Sequence, residues 1–195
     1  MPVSYFSQTL PIEVEHQTMN KPIYEFFTND HRRVEALLDT ATEDINDIQM
    51  DSYHQFRTGL LTHIKMEEKV LFPSAQKANG NNPIPLAAQL RLEHGAITSL
   101  MVPPPTPALV KVIQYILDKH DLREEESGGM YDICENLTSN QTQEILEALR
   151  NTTPVPLHPH NETPFALEAA KRALLRAGYD YDKVAGEDRN TPIRF

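Results

Sequence analysis

The sequence is poor in cysteine, short of basic side chains and without a long apolar run. A single cysteine, Cys134, leaves no internal disulfide framework and no cysteine-rich metal site. It reads as a small buried apolar residue. Lysine and arginine number 18 against 28 acidic residues, a formal net charge of −10. That balance argues against nucleic acid, whose binders present a basic surface, and is compatible with cation binding. No stretch approaches the roughly 20 apolar residues of a membrane span. Residues 1–20 lack the basic region and apolar core of a secretory signal. Neither nucleic acid nor a membrane is therefore an expected partner, and a reducing cytoplasm is the expected compartment.

What is present is a chain of 195 residues, 39% hydrophobic and 24% charged, long enough for one domain with a real core. Two stretches repeat a pattern: His63-Ile-Lys-Met-Glu67-Glu68 and His120-Asp-Leu-Arg-Glu124-Glu125. On a helix, residues four apart share a face, so an imidazole and a carboxylate can point into one pocket. Imidazole suits iron, zinc, copper and nickel, and a carboxylate can bridge two ions.

In order, residues 1–19 read as an N-terminal arm and residues 20–150 as the helical bundle. Residues 151–195 read as a proline-rich linker with a short C-terminal helix. The first helix is predicted from Pro22 to about Ile48, with Tyr24, Phe27, Val34 and Leu38 on the face of His31. The second is capped by Asp51 or Ser52 and runs to about Asn79, with a kink at Pro73. It sets His63 and Glu67 among Phe56, Leu60 and Val70, while Glu68 faces away from that stripe. The third spans about Ile84 to Met101, with His94 on the face of Ala87, Leu90 and Ile97. The fourth runs from Thr106 or Pro107 to at least Ser127, with His120 and Glu124 beside Ile113 and Ile116. Helix resumes from Met130 to about Asn151. Thr163-Pro164 opens a last helix that Gly178 stops.

Four histidines thus lie on the apolar stripes of four helices, two of them beside core-facing glutamates. Alone, each is an ordinary hydrogen-bonded core histidine. Together the six polar groups need partners, and a metal centre satisfies all of them. His31, His63, Glu67, His94, His120 and Glu124 are the expected metal ligands. Glu35, four residues after His31, is open as a further ligand, an acceptor behind one, or the polar end of its face. His54 reads as solvated, His16 sits in the N-terminal arm, and His158 and His160 read as a solvated His-Pro-His loop with adventitious metal binding as the alternative. The two similar helix pairs suggest an approximate two-fold axis, as in bundles with facing ligand sets.

At these residues the chain resembles the hemerythrin-like family, or HHE cation-binding domain. Asp30-His31-Arg32-Arg33, His63-x3-Glu67-Glu68, Leu92-Glu93-His94 and His120-x3-Glu124-Glu125 carry the likeness, which spans about residues 20–150. It implies an all-α up-down four-helix bundle, here with an additional C-terminal helical segment, around a centre of two non-haem irons. By that likeness the four histidines are terminal ligands, and Glu67 and Glu124 bridge the irons with an oxo or hydroxo group. The implied ligand is oxygen, nitric oxide or peroxide, bound, sensed or handled under iron or redox stress. Oxygen carriers have a fifth histidine four residues from the third, where this chain has Leu90 and Thr98. The four-His, two-Glu set is more like that of bacterial iron–sulfur cluster repair proteins. Those add a cysteine-containing N-terminal domain, and residues 1–19 contain no cysteine. Competing readings are an oxidoreductase or repair factor, a redox-silent zinc module, and a ferritin-like site that would use Glu13 and His16. Both metal positions are expected to be under-coordinated and open, and residues 152–195 to be dispensable for metal.

Overall fold

The computed structural model describes residues 20–186, and among these every regular element is helical. The helices are α1 (Pro22–Ala41), α2 (Met50–Met66), α3 (Phe72–Ala78), α4 (Ala87–Leu100) and α5 (Pro107–Glu125). They are followed by α6 (Met130–Leu137), α7 (Thr142–Arg150), α8 (Pro164–Ala177) and α9 (Tyr181–Gly186). A π-helical turn, Glu67–Leu71, joins α2 to α3. The arm, His16 and the Glu13–His16 string lie outside the described residues.

The core itself shows the up-down topology. One apolar layer holds Val34 and Leu38 of α1, Phe56 and Leu60 of α2, Ile97 and Leu100 of α4, and Ile113 and Ile116 of α5. The other holds Ile23 and Phe27 of α1, Leu71 and Phe72 beyond α2, Leu90 of α4, and Met130 and Tyr131 beyond α5. Numbering rises into the first layer on α1 and α4 and falls into it on α2 and α5, so successive helices alternate in direction. The histidines and glutamates lie between the two layers.

Several boundaries differ from the sequence reading. Helix α1 stops at Ala41, where Thr42 Oγ1 donates to the Leu38 carbonyl and Asp44 accepts from the Asn46 amide in the following turn. Helix α2 starts at Met50 after Gln49, so Asp51 and Ser52 sit in its first turn and cap nothing. Near Pro73 the chain widens into a π turn, in which the Phe72 amide reaches back to the Glu67 carbonyl. Such turns recur at functional sites. Helix α4 waits until Ala87 because Leu86 takes a left-handed φ of 68°. Thr106 caps α5 by accepting from the Leu109 amide, as expected. Helix α5 ends at Glu125, short of Ser127, and a turn at Thr138–Gln141 separates α6 from α7.

Helix α8 begins at Pro164 and ends at Gly178, whose φ of 95° suits a glycine. Ala170, Ala173 and Leu174 of α8 and Val184 of α9 complete the apolar layer of the bundle. The C-terminal helices are therefore part of the core that supports the site.

Candidate metal centre

The six side chains singled out from the sequence converge. Ligand atoms of His31, His63, Glu67 and Glu124 lie within 4.8 Å of one another, and so do those of Glu67, His94, His120 and Glu124. Both groups contain the two glutamates, whose side chains are fully buried. The Nε2 atoms of His31 and His63 are 2.9 Å apart, and those of His94 and His120 are 3.1 Å apart. Glu67 Oε1 faces His63 at 3.4 Å while Oε2 faces His94 at 3.1 Å. Glu124 does the same with His31 and His120, at 3.4 and 3.3 Å. Each carboxylate thus spans two positions.

Behind every histidine stands a carboxylate from a neighbouring helix. His31 Nδ1 meets Glu125 at 2.6 Å, His63 Nδ1 meets Asp30 at 3.0 Å, His94 Nδ1 meets Glu68 at 2.7 Å and His120 Nδ1 meets Glu93 at 3.0 Å. The pattern closes a ring: α5 holds α1, α1 holds α2, the π turn after α2 holds α4, and α4 holds α5. Each acid is in turn held by an arginine: Arg32 at Glu125, Arg33 at Asp30, Arg91 at Glu68 and Arg123 at Glu93. A carboxylate on Nδ1–H fixes the tautomer that leaves Nε2 bare and raises its basicity, the arrangement usual behind metal-bound histidine.

The electrostatics follow from burial and from this crowd of charges. Burial opposes the charged form of His63 and His94, yet Glu67 beside both pushes each up to about 9. Burial dominates at His120, and with His94 alongside it is pushed down to about 4. Burial and neighbouring Glu67 raise the Glu124 carboxyl well above its ordinary range. Glu67 is held well below it, because His63 and His94 outweigh its burial. Burial also drives Asp121, at the edge of the site, up to about 6.

The donor set fits a pair of metal ions. Glu67 Oε2 and Glu124 Oε1 are buried and lack any hydrogen-bond partner. His94 Nε2 is near Glu67 Oε2 but points toward His120 rather than along a hydrogen bond. Buried carboxyl oxygens left without a donor are costly, and nitrogen with carboxylate oxygen is a set that iron, zinc and manganese accept. His31, His63, Glu67 and Glu124 would hold one ion, and His94, His120, Glu67 and Glu124 the other.

Residues 22–102 match the family described as Hemerythrin HHE cation binding domain. Over that stretch the chain is similar to the hemerythrin-like family, and its all-helical bundle is consistent with that likeness. The matched residues include His31, His63, Glu67 and His94, whereas His120 and Glu124 lie beyond them and join the cluster through the fold. The match is shorter than the likeness read from the motifs. No curated protein and no solved structure matches the chain.

Glu35 is not part of either donor group. Its carboxylate turns outward to Arg32 at 2.7 Å. His54 and His158 are exposed, but His160 is half-buried, ring-stacked with His54 and Tyr53 and in contact with Arg57. The solvated reading of His160 is corrected accordingly. Cys134 is fully buried and touches Met130, the bland role expected of it. Sequence reasoning missed the acids behind the histidines. Glu68 and Glu125 face away from their own helix's stripe and toward the histidine of the next helix. It also missed Tyr131, whose hydroxyl lies 2.7 Å from Glu67 Oε1 and 3.0 Å from Glu124 Oε2.

Tyr131 reaches the site through the Gly128-Gly129 turn. Gly128 takes a φ of 80°, and a Cβ on Gly129 would lie 2.6 Å from the Arg123 carbonyl oxygen. Only glycine lets the chain leave α5 directly behind Glu124 and start α6 with its tyrosine turned inward.

Proposed function

We propose that this protein holds two iron ions between His31, His63, His94, His120, Glu67 and Glu124, and binds or senses a small molecule such as oxygen, nitric oxide or peroxide. The observation that carries the reading is the closed ring of carboxylates that engages all four Nδ1 atoms and so aims the four Nε2 atoms inward. Such orientation is fixed before any ion binds. Iron would supply redox change and open coordination positions, which a zinc-filled site would not.

The protein's own part is to present donors and to limit access. A small cavity beside the histidines is walled by His31, His63 and His120 on one side and by Val34, Leu60 and Ile97 on another. The space for a molecule's centre is about 10 Å³, enough for one water-sized molecule. That size suits a very small molecule rather than an organic substrate. Leu90 is fully buried and Thr98 exposed, so neither neighbour of His94 resembles the extra histidine of the oxygen carriers. Among the described residues no helix is long and apolar enough to cross a membrane.

The test is a visible spectrum of the diferrous protein as oxygen is admitted and then removed, repeated with nitric oxide. The expected outcome is rapid conversion to a ferric form that deoxygenation does not reverse, and a new band with nitric oxide. A band that comes and goes with oxygen over repeated cycles would make this an oxygen carrier. A diferrous protein indifferent to both gases would refute the small-molecule reading.

A further inference from the structure

The sequence treats the two halves of the site as equivalent, and the pseudo-two-fold relation pairs Phe72 with Tyr131. The structure keeps that pairing and shows what it changes. Phe72 stacks beside His94, with ring centroids 5.9 Å apart and planes 13° from parallel, and offers no oxygen. The Tyr131 hydroxyl stands 3.0 Å from His31 Nε2, 3.3 Å from His63 Nε2, 2.7 Å from Glu67 Oε1 and 3.0 Å from Glu124 Oε2. It touches one donor set on all four of its members. The oxygens of the same glutamates that face the other set are the two without partners.

These spacings have a coordination meaning. Around an ion with bonds of about 2.1 Å, adjacent donors in square-pyramidal or octahedral geometry lie about 3 Å apart. His31 to His63, His63 to Glu67 and Glu124 to His31 span 2.9, 3.4 and 3.4 Å, three sides of a square. A fifth atom at a nearly equal distance from all four corners stands where an apical ligand stands. Met130, Tyr131 and Phe27, which stacks on Tyr131 at 5.0 Å, all belong to the layer that also holds Phe72 and Leu90, whereas the small cavity opens into the opposite one.

We propose that Tyr131 is a fifth protein donor at the His31–His63 position, so that the two metal positions are chemically unequal. The proposal rests on the reading that two ions occupy the site. Binding replaces the phenol O–H by an oxygen–metal bond, and the proton leaves to solvent, as with any protic ligand. The His94–His120 position has no such donor and keeps one more place for an outside molecule. The expectation that both positions are under-coordinated is thereby revised for the His31–His63 position.

The experiment is reconstitution with ferric iron of the wild type and of Tyr131→Phe. Both are followed by metal analysis, visible absorption and resonance Raman scattering. The wild type should show a phenolate-to-iron band in the visible and enhanced tyrosine ring vibrations. Tyr131→Phe should lose both while keeping two irons per chain. If Tyr131→Phe does not fold, the wild type grown with ring-deuterated tyrosine decides, since the enhanced vibrations must then shift. Iron-loaded wild type without tyrosine vibrations, or a variant that retains them, overturns the proposal and leaves the two-iron reading intact. Failure of the wild type to take up iron overturns both.

Discussion

Glu68→Ala removes an acceptor that orients His94 without touching either donor set. Glu68 Oε1 lies 2.7 Å from His94 Nδ1, and its other oxygen lies 3.3 Å from Arg91 Nε. A surface glutamate with no such role changes stability by within about 0.5 kcal/mol when replaced. Loss of a carboxylate behind a metal-bound imidazole costs about 10- to 100-fold in metal affinity. The Glu68 side chain is 23% exposed, so water can replace part of the bond. The expected loss is therefore at the lower end, about tenfold or about 1.4 kcal/mol. A titration against a competing chelator reads it directly. Melting temperature gives a second reading: the gap to wild type should be small in excess metal and widen as free metal falls. Glu43→Ala, in the exposed turn after α1, is the control. Unchanged affinity in Glu68→Ala, or an equal loss in the control, would refute the claim that the outer carboxylates fix the histidines.

Further outcomes follow from the same structure. Gly129→Ala should lower the melting temperature and the metal content together, because its Cβ would lie 2.6 Å from the backbone oxygen of Arg123, the neighbour of Glu124; unchanged values in circular dichroism and metal analysis would contradict this. Deleting residues 152–195 should cost several kcal/mol, since it strips Ala170 and Leu174 from the core and removes Tyr179, which donates to Glu93; a truncated chain that melts like the full one would contradict the shared core. With His63 and His94 raised from 6.5 to about 9, their contribution to the metal-free fold is full below pH 6.5 and is lost as pH rises through 9. His120, lowered to about 4, acts in the opposite sense and costs stability as pH falls from 6.5 toward 4. Metal must displace the His63 and His94 protons, so affinity should climb from pH 6.5 to 9 while the metal-free protein weakens; parallel trends in melting experiments would contradict ligation through these rings.

What could be read from the chain was whatever a single helix reports about itself. His31, His63, His94 and His120 interrupt apolar stripes, and Glu67 and Glu124 repeat the interruption one turn later, so six converging groups were legible from periodicity. Glu68 was legible only as a residue facing away from its own stripe, and Glu125 only as the last acid of the repeated pattern. Their partners, His94 and His31, sit on neighbouring helices, and no single-helix count reports which face meets which neighbour. Asp30 and Glu93 were hidden in the same way, each beside a ligand histidine but bound to another. Tyr131 is set by the Gly128-Gly129 turn, where helical periodicity carries no information. The early end of α1 and the late start of α4 depend on local turn contacts at Thr42 and Leu86 that compete with apolar pattern.

The central claim is that two ions share Glu67 and Glu124. The most direct measurement is elemental analysis of protein loaded with ferrous iron under anaerobic conditions and then desalted, done for the wild type, His63→Ala and His120→Ala. The account predicts two irons per chain in the wild type and a loss of iron in each variant, since each removes a donor from a different set. Fewer than one iron per chain in the wild type, or full loading in either variant, would contradict it.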